Sequence, residues 1–165
     1  MKKKILSIGF LLLSTILFAQ GPISKGKTQL NAGLGFSGWG VPVYFGIDYG
    51  VHSDISIGAE LSYRSYNETI FGTKYSYSII GILGNANYHF NNILNISSPW
   101  DFYAGLNIGF YNISSSNSSG GISSGLGLGA QIGGRYYFNN KWGINLEIGG
   151  GNSVSGGKIG VTYKL

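Results

Sequence analysis

The side chains best suited to chemistry in this chain are two histidines, His52 and His89, the residue type most often used as a general base. Together with a serine either would supply the base and nucleophile of a hydrolase, provided the two lie within hydrogen-bond reach. The serines concentrate in Ser114-Ser115-Ser116-Asn117-Ser118-Ser119-Gly120-Gly121, far from both histidines along the chain. No His, Cys, Asp and Glu cluster has metal-ligand spacing, and there is no cysteine. The glycines of Gly125-Leu126-Gly127-Leu128-Gly129 open no helical pattern, so they do not form a phosphate loop. What remains is a set of scattered charges, Asp48, Glu60, Arg64, Arg135, Glu147 and Lys164, in stretches that hold few others.

The stretches that carry these charges alternate apolar and small or polar residues, the period of a β-strand. Leu30, Ala32, Leu34 and Phe36 form one such set, and Val43, Phe45, Ile47 and Tyr49 the next. Ile55, Ile57, Ala59, Leu61 and Tyr63 follow. The fourth stretch is less regular: Ile80, Ile82, Ala86, Tyr88 and Phe90 share a face, but Ile79 and Leu83 fall on the other, which suggests a bulge. Four further sets complete the series. They are Phe102 to Phe110, Leu126 to Phe138, Trp142 to Ile148, and Ile159, Val161, Tyr163 and Leu165.

Eight antiparallel strands of this kind close into an up-and-down barrel, and alternation alone fits either a soluble barrel with an apolar inside or a membrane barrel with an apolar outside. Composition separates the two. A soluble surface is usually about 25–35% charged, whereas this chain has 10% charged residues and 29 glycines, many of them on the polar face. Glycines cannot solvate an exterior, but inside a narrow barrel they make room for Tyr44, Tyr103, Tyr111, Tyr137, Arg64 and Arg135. The apolar face therefore points to lipid. Tyr49, Tyr88, Phe90, Trp100, Phe102, Tyr136, Phe138, Trp142 and Tyr163 lie near the strand ends of one rim, as expected where hydrocarbon meets headgroups.

Lys2, Lys3 and Lys4 precede an uncharged stretch, Ile5 to Phe18, too short to span a bilayer as a helix, and Leu17-Phe18-Ala19 has the form of a signal-peptidase site. Residues 1–19 are read as a signal peptide and residues 20–165 as one barrel domain. Three of the eleven basic residues leave with that segment, and eight against six acidic residues give +2. The basic pI of the precursor is thus no argument for nucleic acid, and none is expected as a partner. With periplasmic chain ends, the turns are Val51 to Asp54, Asn91 to Asp101 and Asn139 to Lys141. The outer loops are Ser37 to Pro42, Asn67 to Lys74, Ser114 to Gly121 and Gly151 to Gly157, the third expected to be mobile. The Asn91 to Asp101 turn, with Ile93, Leu94, Ile96, Pro99 and Trp100, is long enough to rest on the inner leaflet.

The stretches Asn87-Tyr88-His89-Phe90, Asp101 to Gly109 and Gly133-Gly134-Arg135-Tyr136-Tyr137-Phe138 resemble the small outer-membrane β-barrel domain family of Gram-negative bacteria, of the OmpA/OmpX-like class. The resemblance covers roughly residues 25–165. It implies an integral outer-membrane protein, handled during insertion by the barrel-assembly machinery. Gly157 to Leu165 looks like the signal that machinery reads, carried by Ile159, Val161, Tyr163 and Leu165, although an aromatic is usual where Leu165 stands.

Asp48, Glu60, Arg64, Arg135, Glu147 and Lys164 all have inward parity. The interior of an eight-stranded barrel is just wide enough for side chains to fill, and buried charges persist when paired. They are expected to form a polar network that closes the lumen, with Arg135 and Glu147 as the first pair. The expected function is structural or surface interaction by a monomer without cofactor or catalysis, in contact with outer-membrane lipids and with an extracellular or envelope protein partner. A small-solute pore and a lipid-modifying enzyme are the alternatives. The enzyme is disfavoured because both histidines fall at the periplasmic end and the serine-rich loop at the other.

Overall fold

The computed structural model describes residues 22–38, 40–70, 73–115, 124–151 and 156–165. Residues 1–19, the expected signal peptide, and most of the serine-rich third loop lie outside them. Eight strands follow in order: β1 (Thr28–Phe36), β2 (Val43–Gly50), β3 (Ile55–Ile70), β4 (Thr73–His89), β5 (Trp100–Ser115), β6 (Gly125–Tyr137), β7 (Trp142–Gly151) and β8 (Gly156–Lys164). Each pairs antiparallel with its sequence neighbour, and β1 closes on β8 to complete a barrel.

Alternation in the chain becomes alternation across the wall. In β2 every even residue from Tyr44 to Gly50 is buried and every odd one exposed. The exterior is a continuous apolar belt that includes Phe45, Ile57, Leu106, Leu126, Leu128, Ile132 and Leu146. Leu126 is 75% and Leu106 70% exposed, an arrangement water would penalise and lipid would not. The buried side chains are largely polar: Gln29, Asn31, Ser56, Asn87, Asn107, Gln131, Asn145 and Thr162 join the charged residues inside. At the end bearing the chain termini, Tyr88 packs on Phe90, Trp100 on Phe102 and Tyr136, and Trp142 on Tyr163, so the aromatic residues do gather at one rim.

Three features differ from the sequence reading. β4 contains no bulge: its register with β3 and β5 is unbroken, and Ile79 and Leu83 point inward, where they form an apolar cluster with Tyr111 flanked by Tyr66 and Ile113. An interior position need not be polar if it is packed away from water. Asn67 to Lys74 is mostly strand instead of loop, because the β3–β4 ladder continues to Ile70 and Thr73. There both faces meet water, so the apolar alternation stops while the backbone pairing goes on. Asp101 belongs to β5 and points into the lumen, and the connection before it is organised by Asn91, whose side-chain amide donates to the carbonyls of Trp100 at 2.6 Å and Ile96 at 3.3 Å.

Candidate functional site

The candidate site is the lumen, and its packing begins with glycine placed opposite bulk. Tyr103 on β5 faces Gly133 on β6, Asp48 on β2 faces Gly58 on β3, and Asn87 on β4 faces Gly105 on β5. A Cβ at any of these glycines would strike the side chain opposite. Each large luminal group therefore leans across its neighbouring strand toward the barrel axis, where it meets groups from distant strands.

Two charge clusters result. Nearer the termini, Arg135 on β6 pairs with Asp48 on β2 at 2.7 Å and with Asp101 on β5 at 3.4 Å, all three nearly or completely buried. Asn31 donates to Asp48 at 2.9 Å, Gln29 to Asn31 at 3.1 Å, and Tyr137 to Gln29 at 2.5 Å. Further from the termini, Lys158 on β8 pairs with Glu60 on β3 at 2.8 Å and with Glu147 on β7 at 3.1 Å. Tyr103 joins the clusters. Its ring lies 4.4 Å beneath the Arg135 guanidinium and its hydroxyl donates to Glu147 at 2.9 Å.

Of the six charges expected inside, all face the lumen, but they do not form one group. Asp48 and Arg135 meet directly, whereas Glu60 and Glu147 share Lys158. Arg64 donates to Ser37 at 3.1 Å near the far mouth, and the Lys164 ammonium sits 3.7 Å from the centre of the Tyr137 ring. The expected pair of Arg135 with Glu147 does not form. Glu147 stands opposite Gly133, two residues along β6 from Arg135, and Arg135 instead reaches across the lumen while Tyr103 occupies the space between. Ile159, Val161 and Leu165 lie exposed on the outer face, and Tyr163 packs against Trp142.

Asp101 and Lys158 were missed by assignment to a connection and a strand end, and His89, weighed as a base, was not placed in the lumen, although the parity of their neighbours Tyr103, Lys164 and Asn87 marked all three as inward. They change the chemistry of the site. His89 Nδ1 lies 2.7 Å from Asp101 and Nε2 3.0 Å from the Ser56 hydroxyl. A carboxylate only accepts, so Nδ1–H donates to Asp101, and Nε2 is left to share a hydrogen bond with the Ser56 hydroxyl. This is the order of a hydrolytic triad, formed with Ser56 and not with the serine-rich loop, so the distance argument against it does not hold. Access decides its use. Ser56 and Asp101 are 0% exposed and His89 1%, so the serine is closed off from solvent, and the file ties β3, β4 and β5 together.

A cavity of about 20 Å³ lies among Asp48, Glu60, Tyr103, Arg135 and Glu147, and another of about 30 Å³ near Arg64, Tyr111 and Lys158, room for single waters only. At the terminal end the segment before β1 folds over the wall. Gly26 N–H donates to the Gly50 carbonyl at 2.8 Å and Gly50 N–H to that of Lys27 at 3.0 Å, leaving Ile23 1% exposed. Among the described residues no group of His, Cys, Asp and Glu is placed to hold a metal ion.

No protein-family model matches the chain, and no curated protein matches it by sequence. Solved structures do. The outer-membrane protein OprG of Pseudomonas aeruginosa superposes with a TM-score of 0.70 at 11% identity, covering 89% of this chain and 99% of that one. The N-terminal β-barrel domain of OprF from the same organism gives 0.59 at 19% identity, covering 86% and 98%. A de novo designed transmembrane β-barrel gives 0.54 at 16% identity, with the same coverage of 86% and 98%. A designed sequence reaching the same arrangement means that the likeness carries architecture and not activity. The chain has the fold of the eight-stranded outer-membrane β-barrels.

Proposed function

We propose that the protein is a non-enzymatic integral outer-membrane barrel whose role is structural or interactive, with its lumen closed to solutes and both chain ends in the periplasm. The observation that carries this reading is the combination of an apolar exterior with an interior filled by mutually paired charges, leaving cavities of about 20 and 30 Å³. A passage for solutes needs a continuous water column, and a hydrolase needs an accessible nucleophile. Neither requirement agrees with this packing. In this reading the barrel is a monomer that contacts membrane lipids with its belt, is inserted by the barrel-assembly machinery through Ile159, Val161, Tyr163 and Leu165, and meets an extracellular or envelope protein partner through its outer end. The long β3 to β5 wall is the natural support for that contact.

Planar-bilayer recording of the purified protein tests the closed lumen: the expected trace shows no steady conductance above background. Reproducible single-channel steps would replace this reading with that of a small-solute pore.

A further inference from the structure

The rim that bears the chain ends carries three exposed lysines, Lys25, Lys27 and Lys141. Backbone bonds place them on one arc. Lys164 N–H donates to the Lys141 carbonyl at 2.8 Å and Leu165 N–H to the Thr28 carbonyl at 3.0 Å, so the β6–β7 turn, the end of β8 and the run into β1 are continuous. The height of the arc is set by its aromatic neighbours. Lys141 Nζ donates to the Tyr163 hydroxyl at 3.3 Å and lies 5.3 Å from the ring centre, and Tyr163 packs on Trp142 at 4.7 Å. These rings occupy the level where hydrocarbon gives way to headgroups. Ile93 and Leu94, 66% and 63% exposed in the β4–β5 connection, extend the apolar belt to the same rim.

The acid on this rim does not neutralise the arc. Asp54 lies in the β2–β3 turn and is engaged there by Asn92, Ser53 and His52. At the opposite end of the barrel the β3–β4 hairpin carries a single lysine, Lys74, set opposite Thr69, with the acid Glu68 in the next row opposite Tyr75.

We propose that the Lys25, Lys27 and Lys141 arc binds anionic phospholipid headgroups and so selects them over zwitterionic lipids in the adjoining leaflet. The inference rests on the membrane reading above and adds the lipid class. A zwitterionic headgroup brings its own ammonium, which the lysines repel, whereas a phosphatidylglycerol headgroup offers only the phosphodiester charge. Juxtamembrane lysines strengthen such contacts by roughly five-fold each at low ionic strength, and salt screens them.

The test uses the full mature chain refolded into phosphatidylcholine vesicles, with insertion checked by heat-dependent gel mobility. Electron paramagnetic resonance then compares spin-labelled phosphatidylglycerol with spin-labelled phosphatidylcholine at the protein surface. The expected result is a several-fold preference for phosphatidylglycerol that falls toward unity in high salt and in the triple variant Lys25→Gln, Lys27→Gln, Lys141→Gln, but persists in Lys74→Gln. Equal association of the two lipids with the unmutated protein, or loss of preference in Lys74→Gln alone, would overturn the proposal while leaving the membrane reading intact. A chain that never inserts would sink both.

Discussion

At Gly133 the absence of one carbon decides where Tyr103 lies, and with it the contact between the two charge clusters. Gly133→Val should push the Tyr103 ring aside and cost about 1–3 kcal/mol through overpacking, read as a lower urea midpoint in vesicles. Gly150 is the control, because a Cβ there meets nothing within 4 Å, and Gly150→Ala should leave the midpoint unchanged. Charge placement makes a second distinction. Arg135→Met leaves Asp48 and Asp101 facing each other without their shared cation, which should cost about 3–5 kcal/mol. Glu147→Gln should cost less, since Lys158 keeps Glu60 at 2.8 Å. Equal losses in the two variants would mean that the clusters are not separate. Parity had marked the luminal charges, but which of them meet depends on how far each side chain reaches across the axis.

Within one element, β3 crosses two environments. Its lower part alternates apolar and polar residues because one face meets the belt, while Ser65 to Glu68 pair with β4 where that contrast has ended. Leu61, 53% exposed, lies in the belt opposite Phe45 and Ile82. Leu61→Arg should therefore hinder folding into bilayers by about 2–4 kcal/mol, whereas Asn67→Arg on the protruding hairpin should have little effect. Refolding yields at a fixed lipid-to-protein ratio measure both, and comparable losses would place the membrane boundary too low. The strand's lower half was legible from hydrophobic period and its upper half was not, since a ladder solvated on both faces leaves no apolar period to read. The expected bulge in β4 failed for the converse reason. Ile79 and Leu83 broke the period because they pack inside on Tyr111, not because the backbone slipped.

For the molecule as a whole, burial is inverted relative to a soluble protein, with amides and ion pairs inside and leucines and isoleucines outside. Such a chain has to reach its membrane before its exterior aggregates, and the expected route is export with the basic and apolar leader of residues 1–19. Mass spectrometry of the protein from isolated envelopes should find a mature chain starting at Gln20 or Gly21. An intact mass retaining Met1 would instead mean a leader that stays attached.

Eight apolar sets, few charges and many glycines determined by themselves that the strands close into one barrel and which face of each turns inward, because strand period and lipid compatibility are local properties of the chain. The partners inside were decided only by the closed structure. Asp48 and Arg135 are 87 residues apart, as are few pairs that a local pattern could join, and Glu60 and Lys158 are 98 apart. Ser56, His89 and Asp101 likewise read as unrelated residues until the pairing of β3 with β4 and of β4 with β5 brings them into one file. Closure supplies the two ion pairs because side chains from distant strands must share an axis too narrow to leave them solvated.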